Sequence, residues 1–241
     1  MIGCNCSVCM SVDRRDTRLR SSIMVQSETT SLVVDTGPDF RYQMLRCGLK
    51  KLDAVLFTHP HKDHVAGLDD IRPYNYFQGQ AMQLFANELT QEVLIREFPY
   101  AFAEHRYPGV PELSLNTIGE EPFWVGDIPV EPFEVWHLKM PVLGFRFGNF
   151  TYITDANRIQ PEVQQQIRGG EVLVLNALRK EPHISHFTLD EGVQMARQLG
   201  YKQTYFTHIS HQLGLHETIN LELPSNFQLA YDGLQIKIQA S

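Results

Sequence analysis

The stretch Ala54-Val55-Leu56-Phe57-Thr58-His59-Pro60-His61-Lys62-Asp63-His64-Val65-Ala66-Gly67-Leu68 decides how this chain is read. The apolar run from Ala54 to Phe57 fits a buried strand, and His59, His61, Asp63 and His64 follow it directly. In extended chain His59 and His61 fall on one face, because side chains alternate with a period of two. Asp63 and His64 open onto the next helix. Neutral imidazole together with carboxylate suits Zn, Mn or Fe. A His-rich surface turn is the bland alternative, but an apolar strand that ends in three His points to a ligand.

The same arrangement recurs down the chain. Val33-Val34-Asp35-Thr36-Gly37, Tyr152-Ile153-Thr154-Asp155-Ala156-Asn157 and Tyr205-Phe206-Thr207-His208-Ile209-Ser210-His211 each set acids or histidines at the end of an apolar run. Rigid strand ends are where a preorganised site is held most easily. Pattern predicts strands at 31–35, 54–58, 83–86, 130–136, 144–147, 150–154, 172–176, 204–207, 228–230 and 234–238. Helices are expected at 40–47, 88–97, 161–168, 189–199 and 216–221, with Asn87 capping the second and Thr188 with Glu191 forming a capping box on the fourth. The Tyr-, Phe- and Pro-rich stretch 72–121 reads as an insertion over one edge. No linker divides the chain, so residues 1–241 are expected to form one domain.

Composition narrows the function classes. At 241 residues, 43% hydrophobic and 20% charged, the chain is neither disordered nor collagen-like. Lys plus Arg is 21 against 28 for Asp plus Glu, and the formal charge of −7 disfavours a nucleic-acid-coating protein. Four Cys do not make a secreted disulfide scaffold, and Cys4, Cys6 and Cys9 are too closely spaced to pair comfortably. No run approaches the ~20 apolar residues of a membrane span. The start of the chain also lacks the marks of a signal peptide, so a soluble, cytoplasmic protein is expected.

The pattern His59-x-His61-x-Asp63-His64 resembles the HxHxDH signature of the metallo-β-lactamase superfamily, and the polar strand ends that follow fit its later positions. The resemblance implies an α/β fold, an αββα sandwich. The chain starts Met1-Ile2-Gly3-Cys4, without the first strand and Gly-rich turn that usually precede this point. The resemblance further implies that His59, His61 and His137 hold one divalent metal, that Asp63, His64 and His208 hold a second, and that Asp155 bridges them. Singly, His137, Asp155 and His208 each have an ordinary structural explanation; their order after the first motif sets those aside. Two cations about 3.5–4 Å apart ionise a bridging water near neutral pH. Mn and Zn are both compatible.

Cys4-Asn5-Cys6-Ser7-Val8-Cys9 is the second signal. Three thiols at this spacing can wrap one Zn, which wants a fourth ligand, and Cys47 and His211 are the candidates. Together with the His208-x-x-His211 pair, the segment is similar to the phosphoribosyl cyclic phosphodiesterases. That subgroup implies His211 as the fourth ligand, a structural Zn segment at 1–10 and a homodimer. Cys47, on a helix among apolar neighbours, then reads as a buried thiol.

A third signal is Glu181-Pro182-His183-Ile184-Ser185-His186-Phe187. By the same resemblance His186 is a general acid or a phosphate ligand, for which its near-neutral pKa is suited. His186 and Asp63 are the residues expected to take part in the chemistry. Asp35 and Asp232 are expected to accept an N–H from a ligand histidine. Arg179 and Lys180 are placed to meet a substrate phosphate or solvent, and His105 and His216 read as surface residues.

The expected function is therefore a metal-dependent phosphodiesterase acting on a small cyclic phosphodiester such as phosphoribosyl 1,2-cyclic phosphate, with no membrane or nucleic-acid partner. A ribonuclease Z-like enzyme and a non-catalytic metal-binding module are the alternatives. The first normally carries a Gly-rich basic arm, and the stretch 72–121 has no basic run. The second would show a filled coordination sphere with no open water position.

Overall fold

Leu32, Val33, Val34, Ala54, Val55 and Leu56 are all fully buried. Runs apolar on both faces belong to interior parallel strands, and that is where the chain puts them. The computed structural model describes residues 1–105 and 107–238. It comprises two units, Arg20–Pro132 and Met1–Leu19 together with the chain from Phe133 onward.

Within Arg20–Pro132 the elements are β1 (Ile23–Gln26), β2 (Ser31–Val34), α1 (Phe40–Cys47), β3 (Ala54–Leu56), α2 (Lys62–Val65), α3 (Arg72–Gln78), β4 (Met82–Ala86), α4 (Glu88–Glu97), α5 (Pro99–Phe102), β5 (Leu113–Thr117) and β6 (Phe123–Val125). The sheet order is β1-β2-β3-β4-β5, antiparallel at β1–β2 and parallel from there on. The stretch 72–121 is therefore no insertion, because it supplies β4 and β5 of this sheet. Met82, Leu84 and Ala86 alternate into the core, where Tyr74, Leu94 and Ala101 join Val55 and Phe57. Asn87 caps α4 by accepting from Thr90 N at 2.9 Å. Cys47, expected buried, is exposed at the last residue of α1, beyond the part of the helix that Phe40 anchors in the core.

The strand ends of β2 and β3 are locked together by main chain. Asp35 N donates to Leu56 O and Thr36 N to His64 O, each at 2.8 Å, and Gly67 N donates back to Thr36 O at 2.8 Å. The fit requires glycine at two places. A Cβ on Gly37 would lie 2.3 Å from Asp63 O, and one on Gly67 would lie 2.1 Å from Gly37 O.

The other unit holds the second part of β7 (Ile128–His137), then β8 (Met140–Phe147), β9 (Phe150–Ile153), α6 (Pro161–Gln166), β10 (Val172–Asn176), α7 (Leu189–Leu199), β11 (Gln203–Thr207), α8 (His216–Glu222) and β12 (Phe227–Leu229). Strand order is β12-β11-β10-β9-β8-β7, with β9 to β12 parallel. The capping box on α7 is present, with Thr188 and Glu191 satisfying each other's backbone N–H. Leu189, Ala196 and Leu199 pack that helix into a core with Leu173, Leu175 and Phe206. The run 234–238 is not a strand. Its Leu-Gln-Ile-Lys-Ile alternation has the period of a strand, but it has no ladder among the described residues. No helix among those residues is long and apolar enough to cross a membrane.

A buried polar cluster ties residues 11–19 to α8. Asp16 accepts from Ser11 Oγ at 2.7 Å and from His216 N at 2.8 Å, and the Arg18 guanidinium donates to His216 Nδ1 at 3.2 Å. His216, read from sequence as a surface residue, is 3% exposed. Burial, reinforced by Arg18 and Arg15, pushes its pKa down from 6.5 to about 4.

Two outcomes follow. Gly67→Ala is expected to lose about 1–3 kcal/mol or more by overpacking, read by urea denaturation. Gly119→Ala, where the new Cβ meets nothing within 4 Å, serves as its control. For His216, the unfolded chain takes up a proton between pH 6.5 and about 4 that the folded protein refuses. Its contribution is complete above that window and declines as pH falls through it. Urea midpoints of His216→Gln are accordingly expected to fall less steeply than wild type across the window; parallel curves would contradict the assignment.

Candidate metal centre

In the unit Arg20–Pro132, His59 and His61 follow β3, Asp63 and His64 lie in α2, and Asp35 directly follows β2. Asp35 is fully buried and takes a left-handed backbone, φ 67°. A non-glycine residue there costs about 1 kcal/mol or more, so its contacts must hold it. Its Oδ1 accepts from Thr58 N at 2.8 Å, while its Oδ2 accepts from Thr58 Oγ1 at 2.8 Å and from His64 Nδ1 at 2.7 Å. Burial pushes the Asp35 carboxyl above the usual carboxylate range, opposed by the charge and hydrogen bonds of His64 and Thr58.

The expectation that Asp35 accepts from a ligand histidine matches this geometry. Thr58 is the residue that sequence reading missed. Its hydroxyl also meets His59 Nδ1 at 2.9 Å. With Nδ1 thus engaged, His59 presents Nε2, which stands 3.1 Å from His61 Nδ1. Two nitrogens on one tetrahedral Zn lie about 3.3 Å apart, given bonds of about 2.0–2.1 Å. The separation fits two ligands of one ion, and it equally fits an N–H···N hydrogen bond between the two rings.

In the other unit the polar residues again sit at carboxyl ends of strands. His137 ends β7, Asp155 follows β9 and His208 follows β11, the last two with φ of 56° and 53°. The Asp155 turn is clamped by Asn176 at the end of β10, whose side chain accepts from Ala156 N at 2.8 Å and donates to Ala156 O at 2.9 Å. Thr154 Oγ1 donates to Asp155 Oδ2 at 2.7 Å, which leaves Oδ1 facing His208 Nε2 at 3.2 Å. His137 donates Nδ1–H to Ser185 O at 2.8 Å and so presents Nε2. Ligand atoms of His137, Asp155 and His186 lie within 4.8 Å of one another.

His186 is 9% exposed, stacks at 4.9 Å on His208, and its buried Nδ1 has no hydrogen-bond partner. Burial pushes its pKa down to about 3, against the pull of Asp155, so the imidazole is neutral at pH 7. His183 lies on the same loop with its ring 5.0 Å from that of His186. The Arg179 guanidinium, a candidate for a substrate phosphate, is engaged by the chain itself. It donates to Glu181 O at 3.2 Å, Pro182 O at 2.9 Å and Gln212 Oε1 at 2.8 Å. Lys180 pairs with Glu222 at 2.6 Å. Asp232 accepts from Leu19 N at 3.1 Å and so fixes the end of the N-terminal segment. His105 is exposed, as expected.

The thiols converge in this same unit. Cys4, Cys6, Cys9 and His211 bring their ligand atoms within 4.8 Å, with His211 Nδ1 at 3.5 Å from Cys4 Sγ and 3.4 Å from Cys6 Sγ. A sulfur and a nitrogen on one tetrahedral Zn are about 3.5 Å apart by the bond lengths of such sites. The hydrogen bond with His211 lowers the Cys6 pKa to about 6, with help from Cys9 N. A soft three-thiolate, one-imidazole set of this kind fits Zn. The His and carboxylate donors fit harder divalent ions as well.

A family model described as the β-lactamase superfamily domain matches residues 30–209. A solved structure of a new diphosphatase from the PhnP family superposes with a TM-score of 0.91 at 43% identity, covering 97% of this chain and 89% of that one. An octanoyltransferase of Porphyromonas gingivalis is 35% identical over 97% of this chain, which spans 48% of that protein's length. A ribonuclease Z of Bradyrhizobium is 28% identical over 54% of this chain and 44% of its own length. By the extent of the family match and the identity with the PhnP-family structure, this chain belongs to the β-lactamase superfamily as a PhnP-like metallo-β-lactamase.

Proposed function

We propose that the chain is a metal-dependent phosphodiester hydrolase whose substrate is a small cyclic phosphodiester such as phosphoribosyl 1,2-cyclic phosphate. One observation carries the reading. In His59, His64 and His137 alike, Nδ1 is engaged by Thr58, Asp35 or Ser185, so Nε2 is the nitrogen each offers to a ligand. Ligand histidines are held in this way by outer partners that set the tautomer. Family membership and the identity with a PhnP-family structure support a metal-dependent phosphodiester hydrolase in general.

The proposed ligand set is His59, His61 and His137 for one metal and Asp63, His64 and His208 for the other, with Asp155 shared. When bound there, a divalent pair such as Mn or Zn would lower the pKa of water toward neutrality and offset charge on the phosphoryl oxygens. The chain's own residues do the rest. Asp35 and Asn176 hold the ligand-bearing turns, and the loop stapled by Arg179 carries His186. That neutral imidazole offers an N–H hydrogen bond to an equatorial phosphoryl oxygen or to the departing alkoxide. Cys4, Cys6, Cys9 and His211 are proposed to hold a structural Zn that fastens the first ten residues beside the His208 turn.

A second reading, cleavage of a diphosphate, is favoured by the diphosphatase relative. The comparison that separates them is turnover of phosphoribosyl 1,2-cyclic phosphate, a nucleoside diphosphate sugar and octanoyl thioester by Mn-loaded protein. Preference for the cyclic ester supports the first reading and preference for the diphosphate the second. Activity on the thioester alone would contradict both. His186→Ala is expected to lower kcat by about 10²–10⁴-fold with metal content unchanged; loss of metal would instead make His186 a ligand. Cys6→Ser is expected to lose one Zn per chain, by metal analysis, and to become readily cleaved by protease within residues 1–19, while Mn binding persists.

A further inference from the structure

Thr58 is wholly buried and carries a single hydroxyl hydrogen. That hydrogen is committed to Asp35 Oδ2 at 2.8 Å, in a carboxyl whose two oxygens both act as acceptors here. The hydroxyl oxygen therefore meets His59 Nδ1, 2.9 Å away, as an acceptor. The same Asp35 oxygen takes the Nδ1–H of His64 at 2.7 Å. The chain of hydrogen bonds has one direction, from His59 Nδ1–H to the Thr58 hydroxyl to Asp35, with His64 Nδ1–H entering Asp35 from the other side. Thr58 N, bonded to Asp35 Oδ1 at 2.8 Å, keeps the carboxylate in the plane this requires.

We infer that Thr58 is a positioning residue through which one buried carboxylate sets the orientation and tautomer of two ligand histidines, His64 directly and His59 by relay. This role rests on the reading of His59 and His64 as metal ligands. In that reading the two histidines serve different ions, so Asp35 acts on both ions while Thr58 acts on one. Without the hydroxyl, the Nδ1–H of His59 loses this acceptor. The constraint that keeps the proton off Nε2, the atom His59 must offer as a lone pair, is then weakened.

The test uses full-length protein with Zn already in the thiolate set and Mn2+ as the probe, since thiolates select Zn over Mn. Free Mn2+ is counted by electron paramagnetic resonance during titration. Wild type is expected to take up two Mn2+. Thr58→Val is expected to weaken one of the two by about 10–100-fold, and Asp35→Asn to weaken both. Thr58→Ser, which restores the hydroxyl, is expected to recover near-wild-type binding. Thr58→Ala serves as the second deletion variant should the valine protein not fold, with folding read by circular dichroism. Wild-type Mn2+ binding in a folded Val or Ala variant would overturn the role of Thr58. Failure of wild type itself to bind Mn2+ would overturn the ligand reading beneath it.

Discussion

A carboxylate with no exposure to water, Asp35, must be compensated or neutralised, and the fold around it follows from that requirement. Three donors from the segment after β3 converge on its two oxygens, so the end of β2 and the motif that carries His59 to His64 are fixed together. The backbone contacts of Thr36 and Gly67 and the bare Cα atoms of Gly37 and Gly67 are what permit the approach. The carboxylate thus does two things at once. It holds a left-handed turn in place, and it orients the imidazole of a proposed ligand.

The other unit solves the same problem with different residues. Asp155 and His208 also sit in left-handed turns at strand ends, and Asn176 and Thr154 supply the clamping contacts that Thr58 supplies to Asp35. In both units the strain lies at polar strand ends while the strands themselves are regular. Strained backbone of this sort persists where the surroundings over-determine it. The Arg179 staple and the bond from His137 to Ser185 O extend the same principle to the loop bearing His186.

Much of this was legible in the sequence, for identifiable reasons. Long regular patterns spoke for themselves, as in α1, α4 and α7, whose bounds match the expected 40–47, 88–97 and 189–199. The residues expected to join the thiols, Cys4, Cys6, Cys9 and His211, come together because two closely spaced motifs state their own geometry. What stayed hidden depends on long-range partners. β5 alternates Leu113, Ser114, Leu115 and Asn116, but over too few residues to stand out, and its pairing with β4 makes it a strand. The run 234–238 has the period and lacks the pairing. His216 looks like any helix-entry histidine until Asp16 and Arg18 arrive from two hundred residues away. Thr58 and Asn176 were missed because hydroxyl and amide side chains carry no sign of their role. The one available signal was that a threonine precedes His59, Asp155 and His208 alike.

The most direct test is an anomalous difference map from crystals of metal-loaded protein, recorded at the absorption edges of Zn and Mn. The account predicts one Zn peak among Cys4, Cys6, Cys9 and His211. It also predicts two peaks bound by the Nε2 atoms of His59, His64 and His137 and by Asp155. Peaks at the thiolates alone, with none at the histidines, would contradict a metal-dependent hydrolase.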